Sequence, residues 1–194
     1  MKLIFFLFIL FPSIALAACQ ATPEIYHTTD LPKKFNMFNN LYRSTGSPLV
    51  ADGNMIKIKG TLTDENCVPI SDAVISIWHF NAYGKYQYGE YNADEGGIDK
   101  NFGGTGTSIT NNMGEFEFIT IFPGEYTNQS PFINFKVKHK DFITFYTRLF
   151  FSNKHDDLSI FSPEIANRLV AKRKMDDEYE FNISFVGTNV YLEY

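Results

Sequence analysis

The sequence predicts a mostly β, single-domain protein, and three observations support this prediction. Aromatic residues make up 16% of the 194 residues, and aromatic side chains favour strands. Short apolar segments are separated by Asn, Gly and Pro, as is typical of a β-sandwich. A chain of this length, 44% hydrophobic, can build a core without depending on a metal or on many disulfides.

The first element is an export signal at residues 1–17. Lys2 precedes the apolar run LIFFLFILF, and small residues end the segment at Ala17, as in a secretory signal peptide. The apolar run is too short to span a bilayer. We therefore expect cleavage and export to the periplasm or the exterior, without a membrane span.

Cys19 allows two interpretations. Leu16-Ala17-Ala18-Cys19 resembles a bacterial lipobox, in which the cysteine is acylated and anchors the protein to a membrane. Ordinary cleavage after Ala17 would instead leave Cys19 to pair with Cys67 in an oxidising compartment. An even number of cysteines favours the disulfide, but the residues alone leave both interpretations open.

The mature chain is predicted to consist of an arm at 18–50 and a β-sandwich domain at 51–194. The arm is rich in Pro, Thr, Asn and Lys without a sustained period. Its aromatic residues are expected to pack on the domain: Tyr26, Phe35, Phe38 and Tyr42. The net charge of -5, without a basic cluster, argues against a nucleic-acid partner.

Hydrophobic periodicity predicts the strands. Met55–Leu62 alternates with period two, Ala73–Phe80 is apolar on both faces, and Glu115–Ile121 alternates until a phase shift at Ile119 indicates a bulge. Further strands are predicted at Phe132–Lys138, Ile143–Phe151 and Tyr179–Val186.

One short helix is predicted near the C-terminus. Ser162 is a suitable N-cap and Pro163 a suitable first residue. Ile165, Leu169 and Val170 would form its apolar face. Arg168 and the basic residues at 172–174 would then complement the helix dipole at its C-terminal end.

Motifs between residues 60 and 151 occur in a recognisable order. They are AVISIW at 73–78, Gly84-Lys85-Tyr86, FGGTG at 102–106 with an expected turn at Gly103–Gly106, and TIFPGEY at 120–126. This order resembles that of the intradiol ring-cleavage dioxygenases, ferric enzymes related to catechol and protocatechuate 3,4-dioxygenase. The resemblance implies an immunoglobulin-like or prealbumin-like β-sandwich. The segment from Cys19 to Glu24 resembles the exported branch, which has a cysteine at the position of Cys67, so the resemblance favours the disulfide.

The resemblance also implies where iron ligands would lie. In this family two tyrosinates and two histidines hold Fe(III), and the matching tyrosines are Tyr86 and Tyr126. The family's His-x-His strand reads Phe132-Ile133-Asn134 here. Phe132 has no donor atom, and Asn134 offers only a neutral oxygen or an amide.

Two neighbouring positions also depart from the family pattern. Arg148 lies where a Gln is expected, and Gln129 where an Arg is expected. The four histidines do not supply obvious replacements. His79 is expected to be a hydrogen-bonded core residue, His139 lies too far along its strand, His155 lies in a polar loop, and His27 lies in the arm.

The sequence thus predicts an exported, non-catalytic relative or subunit without a bound cofactor. We expect it to bind an aromatic ligand near Tyr86, Tyr126, Phe132, Asn134 and Arg148, or a homologous partner chain or second copy. Two alternatives stay open. The first is a functional Fe(III)-dependent intradiol dioxygenase that cleaves catechol-type rings with O₂, and the second is an interaction protein that uses the sandwich only as a scaffold.

Overall fold

The computed structural model describes residues 19–25, 31–87, 96–125, 131–152 and 156–185. The predicted signal peptide lies outside these ranges, and so do Tyr26, His27, Tyr126, Gln129 and His155. Among the residues described, no helix is long and apolar enough to cross a membrane. The strands are β1 Met55–Asp64, β2 Val74–Trp78, β3 Thr105–Ile109, β4 Glu115–Ile121, β5 Phe132–His139, β6 Phe142–Phe150, β7 Lys172–Arg173, β8 Glu178–Glu180 and β9 Ile183–Phe185, and the helix α1 is Pro163–Ala166.

Two sheets form the sandwich, which confirms the predicted fold class. The larger sheet has the order β4-β1-β8-β7, with β9 also pairing with β1, and the smaller has the order β3-β2-β5-β6. The predicted strand at 179–186 is divided between β8 and β9, which pair in parallel with successive parts of β1. Between them, the Phe181 amide donates to the Lys59 carbonyl at 2.8 Å, and Val186 lies outside the described residues.

The predicted bulge in β4 is wrong. β1 and β4 pair without interruption from Met55 opposite Ile121 to Thr61 opposite Glu115. The buried face continues through Thr120, whose hydroxyl lies 2.7 Å from a ring nitrogen of the buried His79. A hydrogen-bonded threonine therefore takes a core position where the sequence pattern suggested a change of phase.

The helix has the predicted start but not the predicted length. The Ser162 hydroxyl accepts from the Ile165 amide, and α1 ends at Ala166. Leu169 and Ala171 instead bond to the backbone of Phe150, the last residue of β6. Lys172 and Arg173, expected at the basic end of a helix, form β7 against β8, because pairing with existing strands satisfies the backbone groups that a longer helix would use.

Between the sheets lies a Phe-rich core. Phe118, Phe135 and Phe181 are fully buried, and their rings contact one another edge to face or tilted, arrangements that aromatic pairs favour. A Cβ atom at Gly60 would overlap the Phe181 carbonyl oxygen. Glycine in the middle of β1 therefore lets the segment between β8 and β9 approach closely.

The described part of the arm packs on the rest of the chain through Leu41 and through Phe35, whose ring centre lies 5.7 Å from that of Trp78. Leu41 is fully buried, and its amide donates to the Ile119 carbonyl at 2.7 Å. Asn36 donates to backbone oxygens of Gly103 and Thr105. The arm thus joins the edge of β3 to the edge of β4. Thr105 and Gly106, which were expected in a turn, begin β3.

Cys19 and Cys67 form a disulfide, which confirms the pairing. The bond uses the sulfur that lipidation would require, so the structure is incompatible with an acylated Cys19. The neighbouring Thr22 amide donates to the Ser184 carbonyl, and the Ile25 amide to the Tyr146 carbonyl. The start of the arm is therefore joined to both sheets.

Candidate functional site

The candidate site lies on the outer face of the smaller sheet. Asn134 on β5 pairs with Trp78 on β2 and with Arg148 on β6, so the three side chains project from the same face. Ile133 and Phe135, the alternate residues, belong to the buried core. This alternation confirms the register predicted for the Phe132-Ile133-Asn134 strand.

Asn134 connects the predicted site residues. Its side-chain oxygen accepts a hydrogen bond from Arg148 Nε at 2.7 Å. Its side-chain amide donates to the Tyr86 hydroxyl at 3.0 Å and to the Trp78 carbonyl at 3.2 Å. Since Asn134 is only 3% exposed, these bonds satisfy an amide that would be costly to bury unpaired.

Arg148 places a positive charge inside the protein. Its side chain is 6% exposed, and Nη1 lies 2.6 Å from Asp157 Oδ2. Its guanidinium carbon lies 4.3 Å from the centre of the Phe132 ring, a distance suited to a cation–π contact. The Asp157 side chain remains 29% exposed, so the ion pair sits at the boundary between the cluster and solvent.

An aromatic cluster fills the remainder of the site. The Phe80 and Tyr86 ring centres are 3.9 Å apart, and the Phe80 and Phe132 centres are 5.5 Å apart. Phe132 also packs near Phe150 and is itself only 3% exposed. Ile25 of the arm packs against this cluster. Phe132 is therefore a core residue and not an open ligand position.

A buried polar loop positions Tyr86. The Asn81 side-chain oxygen accepts from the amides of Tyr83 and Lys85 at 2.9 and 3.0 Å. Its side-chain amide donates to Gln87, which also bonds to the backbone of Asp99. Sequence reasoning missed this network, although an Asn at the start of Asn-Ala-Tyr-Gly is a recognised turn signal.

His79 is a core residue, as predicted. It is fully buried, and Nδ1 lies 2.7 Å from the Phe80 carbonyl and Nε2 2.7 Å from the Thr120 hydroxyl. A carbonyl only accepts, so Nδ1 carries the proton and Nε2 of the neutral ring accepts from Thr120. Burial lowers the pKa of His79 to about 4 because the charged form would be desolvated.

Of the remaining sequence-predicted positions, the structure describes His139, which is not brought to the site. His139 is the last residue of β5, where its Nδ1 accepts from the Asp141 amide at 3.3 Å. Tyr126, Gln129 and His155 lie outside the described residues. Of the two predicted tyrosine ligands, the structure thus describes Tyr86 alone.

The two-sheet sandwich is consistent with the fold of the intradiol dioxygenases. The family model described as "Dioxygenase" matches residues 39–187. The chain belongs to the intradiol ring-cleavage dioxygenase family. This family normally uses Fe(III) and binds aromatic substrates.

Several curated proteins are similar in sequence. A Rickettsia bellii protein named "Putative dioxygenase" is 37% identical over 143 residues, covering 71% of this chain and 68% of that protein. A Rickettsia typhi protein of the same description is 32% identical over 90% of this chain and 86% of its own length. The protocatechuate 3,4-dioxygenase beta chain of Burkholderia cepacia is 31% identical over 53% of this chain and 42% of that chain.

Solved structures share the fold. The dioxygenase domain of a Streptomyces sp. SirexAA-E dioxygenase carbohydrate-binding protein fusion aligns with a TM-score of 0.65 at 18% identity, over 87% of this chain and 100% of that one. Catechol 1,2-dioxygenase from Pseudomonas arvilla C-1 aligns with a TM-score of 0.62 at 14% identity, over 86% and 62% of the two chains. At these identities the likeness establishes the fold alone.

The described residues do not fit a ferric ion. The Phe132 ring has no donor atom, and the Asn134 oxygen is bonded to the Arg148 guanidinium. The Asn134 amide directs its N–H toward the Tyr86 oxygen, which is the atom that a metal would need. In the part of the chain that the structure describes, no group of three or more His, Cys, Asp or Glu is placed to hold a metal.

Proposed function

We propose that this chain is a non-catalytic member of the family with a binding or subunit role. One observation carries the proposal: Phe132 and Asn134, which the resemblance aligns with the two histidine ligands, are built into a buried network with Arg148. Substitutions that only removed ligands would leave a cavity or unpaired polar groups. Here both residues have new packing or hydrogen-bond partners.

An aromatic small molecule is the ligand that we propose for the site. Tyr86 is half-buried and stacks on Phe80, so its edge could offer a hydroxyl beside an aromatic surface. Arg148 already bonds to Asp157 at 2.6 Å. A ligand carboxylate would have to compete with that carboxylate, so we expect a neutral phenol or catechol to bind more tightly than benzoate.

Export to the periplasm or the exterior is part of the proposal. The signal-like segment at 1–17 supports it, and so does the Cys19–Cys67 bond, because disulfides persist in oxidising compartments. A homologous chain or a second copy is the macromolecular partner that we propose.

The deciding experiment is metal analysis of the purified mature protein together with its visible spectrum. We expect little iron and no visible band, even after incubation with a ferric chelate. Near-stoichiometric iron with a tyrosinate charge-transfer band would refute the non-catalytic role.

Titration with catechol and with benzoate, followed by tryptophan and tyrosine fluorescence, tests the ligand class. Light scattering tests assembly.

The alternative is a functional Fe(III)-dependent dioxygenase. It is favoured by Tyr86, which is retained beside Asn134, and by the names of the Rickettsia relatives. It requires catechol-dependent O₂ uptake that is lost in Tyr86→Phe. If the protein binds neither iron nor any aromatic compound, the scaffold role is the better description.

A further inference from the structure

We infer that Arg148 is a specificity-determining residue that excludes iron: its guanidinium is a resident cation that opposes a bound metal even where histidine ligands are supplied. This inference rests on the proposed non-catalytic function. It goes beyond that function for the following reason. If the loss of the two histidines were the whole cause, restoring them would be enough to restore ferric affinity.

The charge of Arg148 is fixed. Among the residues described, Arg148 is the only Lys or Arg that is buried. A guanidinium does not lose its proton in proteins, so burial cannot neutralise it as it can neutralise a lysine or a histidine. Any cation entering this region therefore meets a permanent positive charge.

The position of Arg148 is also fixed, and its 2.6 Å contact with Asp157 does not depend on Phe132 or Asn134. Two hydrogen bonds connect its Nε through Asn134 to the Tyr86 hydroxyl, with lengths of 2.7 and 3.0 Å. Its guanidinium carbon lies 4.3 Å from the centre of the Phe132 ring. The guanidinium thus contacts residues 132 and 134, the two positions at which histidines would be introduced. It is connected to Tyr86 through the side chain of Asn134.

The surrounding charge is already balanced. Asp157 offsets the guanidinium at 2.6 Å, and Asn134 contributes a neutral amide to the network. Arg148 Nε faces Asn134 and Nη1 faces Asp157, so the guanidinium lies between the carboxylate and residue 134. A trivalent ion held by residue 134 would therefore be nearer to the positive member of the ion pair, and the resulting repulsion persists at the effective dielectric constant of about 20 that suits protein sites. We therefore expect removal of the charge to raise ferric affinity by about 100-fold or more.

The test begins with three variants of the mature protein, and a fourth is added as a control below. The first is Phe132→His with Asn134→His, and the other two add Arg148→Gln or Arg148→Lys. The Kd for Fe(III) is measured by competition with nitrilotriacetate and by the intensity of the tyrosinate charge-transfer band. We expect the Gln variant to bind iron about 100-fold more tightly than the double variant, and the Lys variant to remain within about threefold of it.

Lysine is the matched control because the Asp157 carboxylate favours a charged ammonium at this position, so Lys keeps the charge but not the planar fork. Equal affinity of the double and Gln variants overturns the inference, and so does a Lys variant that binds as tightly as the Gln variant. Because Arg148→Gln leaves the Asp157 carboxylate without the guanidinium, a second Gln variant also carries Asp157→Asn. Circular dichroism verifies folding in each case.

The two proposals fail in different ways. Near-stoichiometric iron in the wild-type protein refutes the non-catalytic function. An iron-free wild type whose folded Gln variants bind no more iron than the double variant leaves that function intact and refutes the role of Arg148.

Discussion

Protonation of His79 should make the stability of this protein depend on pH. The imidazole is fully buried and neutral, and burial lowers its pKa from 6.5 to about 4. The unfolded chain therefore takes up a proton below about pH 6.5, while the folded state resists doing so. The stability contribution is complete above pH 6.5 and is lost as pH falls toward 4.

The magnitude follows from the size of the shift. Each pKa unit corresponds to about 1.4 kcal/mol, so a shift from 6.5 to about 4 corresponds to about 3 kcal/mol in total. Between pH 7.5 and pH 4.5 most of that amount, about 2.5 kcal/mol, should be lost through this one group.

The assay is urea denaturation of the wild type and of His79→Gln at both pH values. Glutamine retains a donor and an acceptor but does not titrate, so its own cost should be the same at each pH. The carboxylates titrate in both proteins and cancel in the comparison. We expect the free energy of unfolding of the wild type to fall by about 2.5 kcal/mol more than that of the variant.

If the free energy of unfolding fell by the same amount in the wild type and in His79→Gln, this reasoning would be refuted. A direct check is the NMR titration of the His79 ring protons, which should show no protonation at pH 5.5. A midpoint near 6.5 would mean that the ring is hydrated, and the buried geometry with Thr120 would then be wrong.

Three further predictions concern stability. Cys67→Ser should lower the free energy of unfolding by about 2–4 kcal/mol, and a reductant should destabilise the wild type but not the variant. Gly60→Ala should cost about 2 kcal/mol or more because its Cβ would overlap a backbone carbonyl, whereas Gly96→Ala has open space and should leave the melting temperature nearly unchanged. Asp157→Asn should cost about 2 kcal/mol because it weakens the compensation of the buried Arg148 charge; a melting temperature equal to that of the wild type would show that the ion pair contributes little.

Strands with a clear hydrophobic pattern in their own sequence could be predicted. β1, β2, β5 and β6 lie close to their predicted ranges, because alternation or a doubly apolar run specifies a strand locally. The segments at 169–173 and 178–185 were less predictable. Their conformation depends on which backbone edges of β6 and β1 they meet, and no local pattern encodes that choice.

The same distinction applies to the candidate site. The motif order identified Phe132, Asn134 and Arg148, and the period of two placed the first two on the same face of the strand. The pairing of Arg148 with Asp157 was not predictable. Asp157 lies in a 3-10 turn beyond β6, and a loop's path over a sheet is set by tertiary packing. The turn at Asn81 has a local signal, but the bond from its side chain to Gln87 depends on the path of the loop.

The residues at this site that depart from the family pattern depend on one another. The Asn134 oxygen is buried, and it is satisfied because Arg148 lies opposite it in the register. The Arg148 charge is in turn tolerated because Asp157 reaches it and the Phe132 ring covers it. Asn134 introduced alone into an iron site would leave a buried amide unpaired, and Arg148 introduced alone would leave a charge uncompensated. These mutual contacts agree with the proposed non-catalytic function, in which this region packs as a self-sufficient part of the core without a metal.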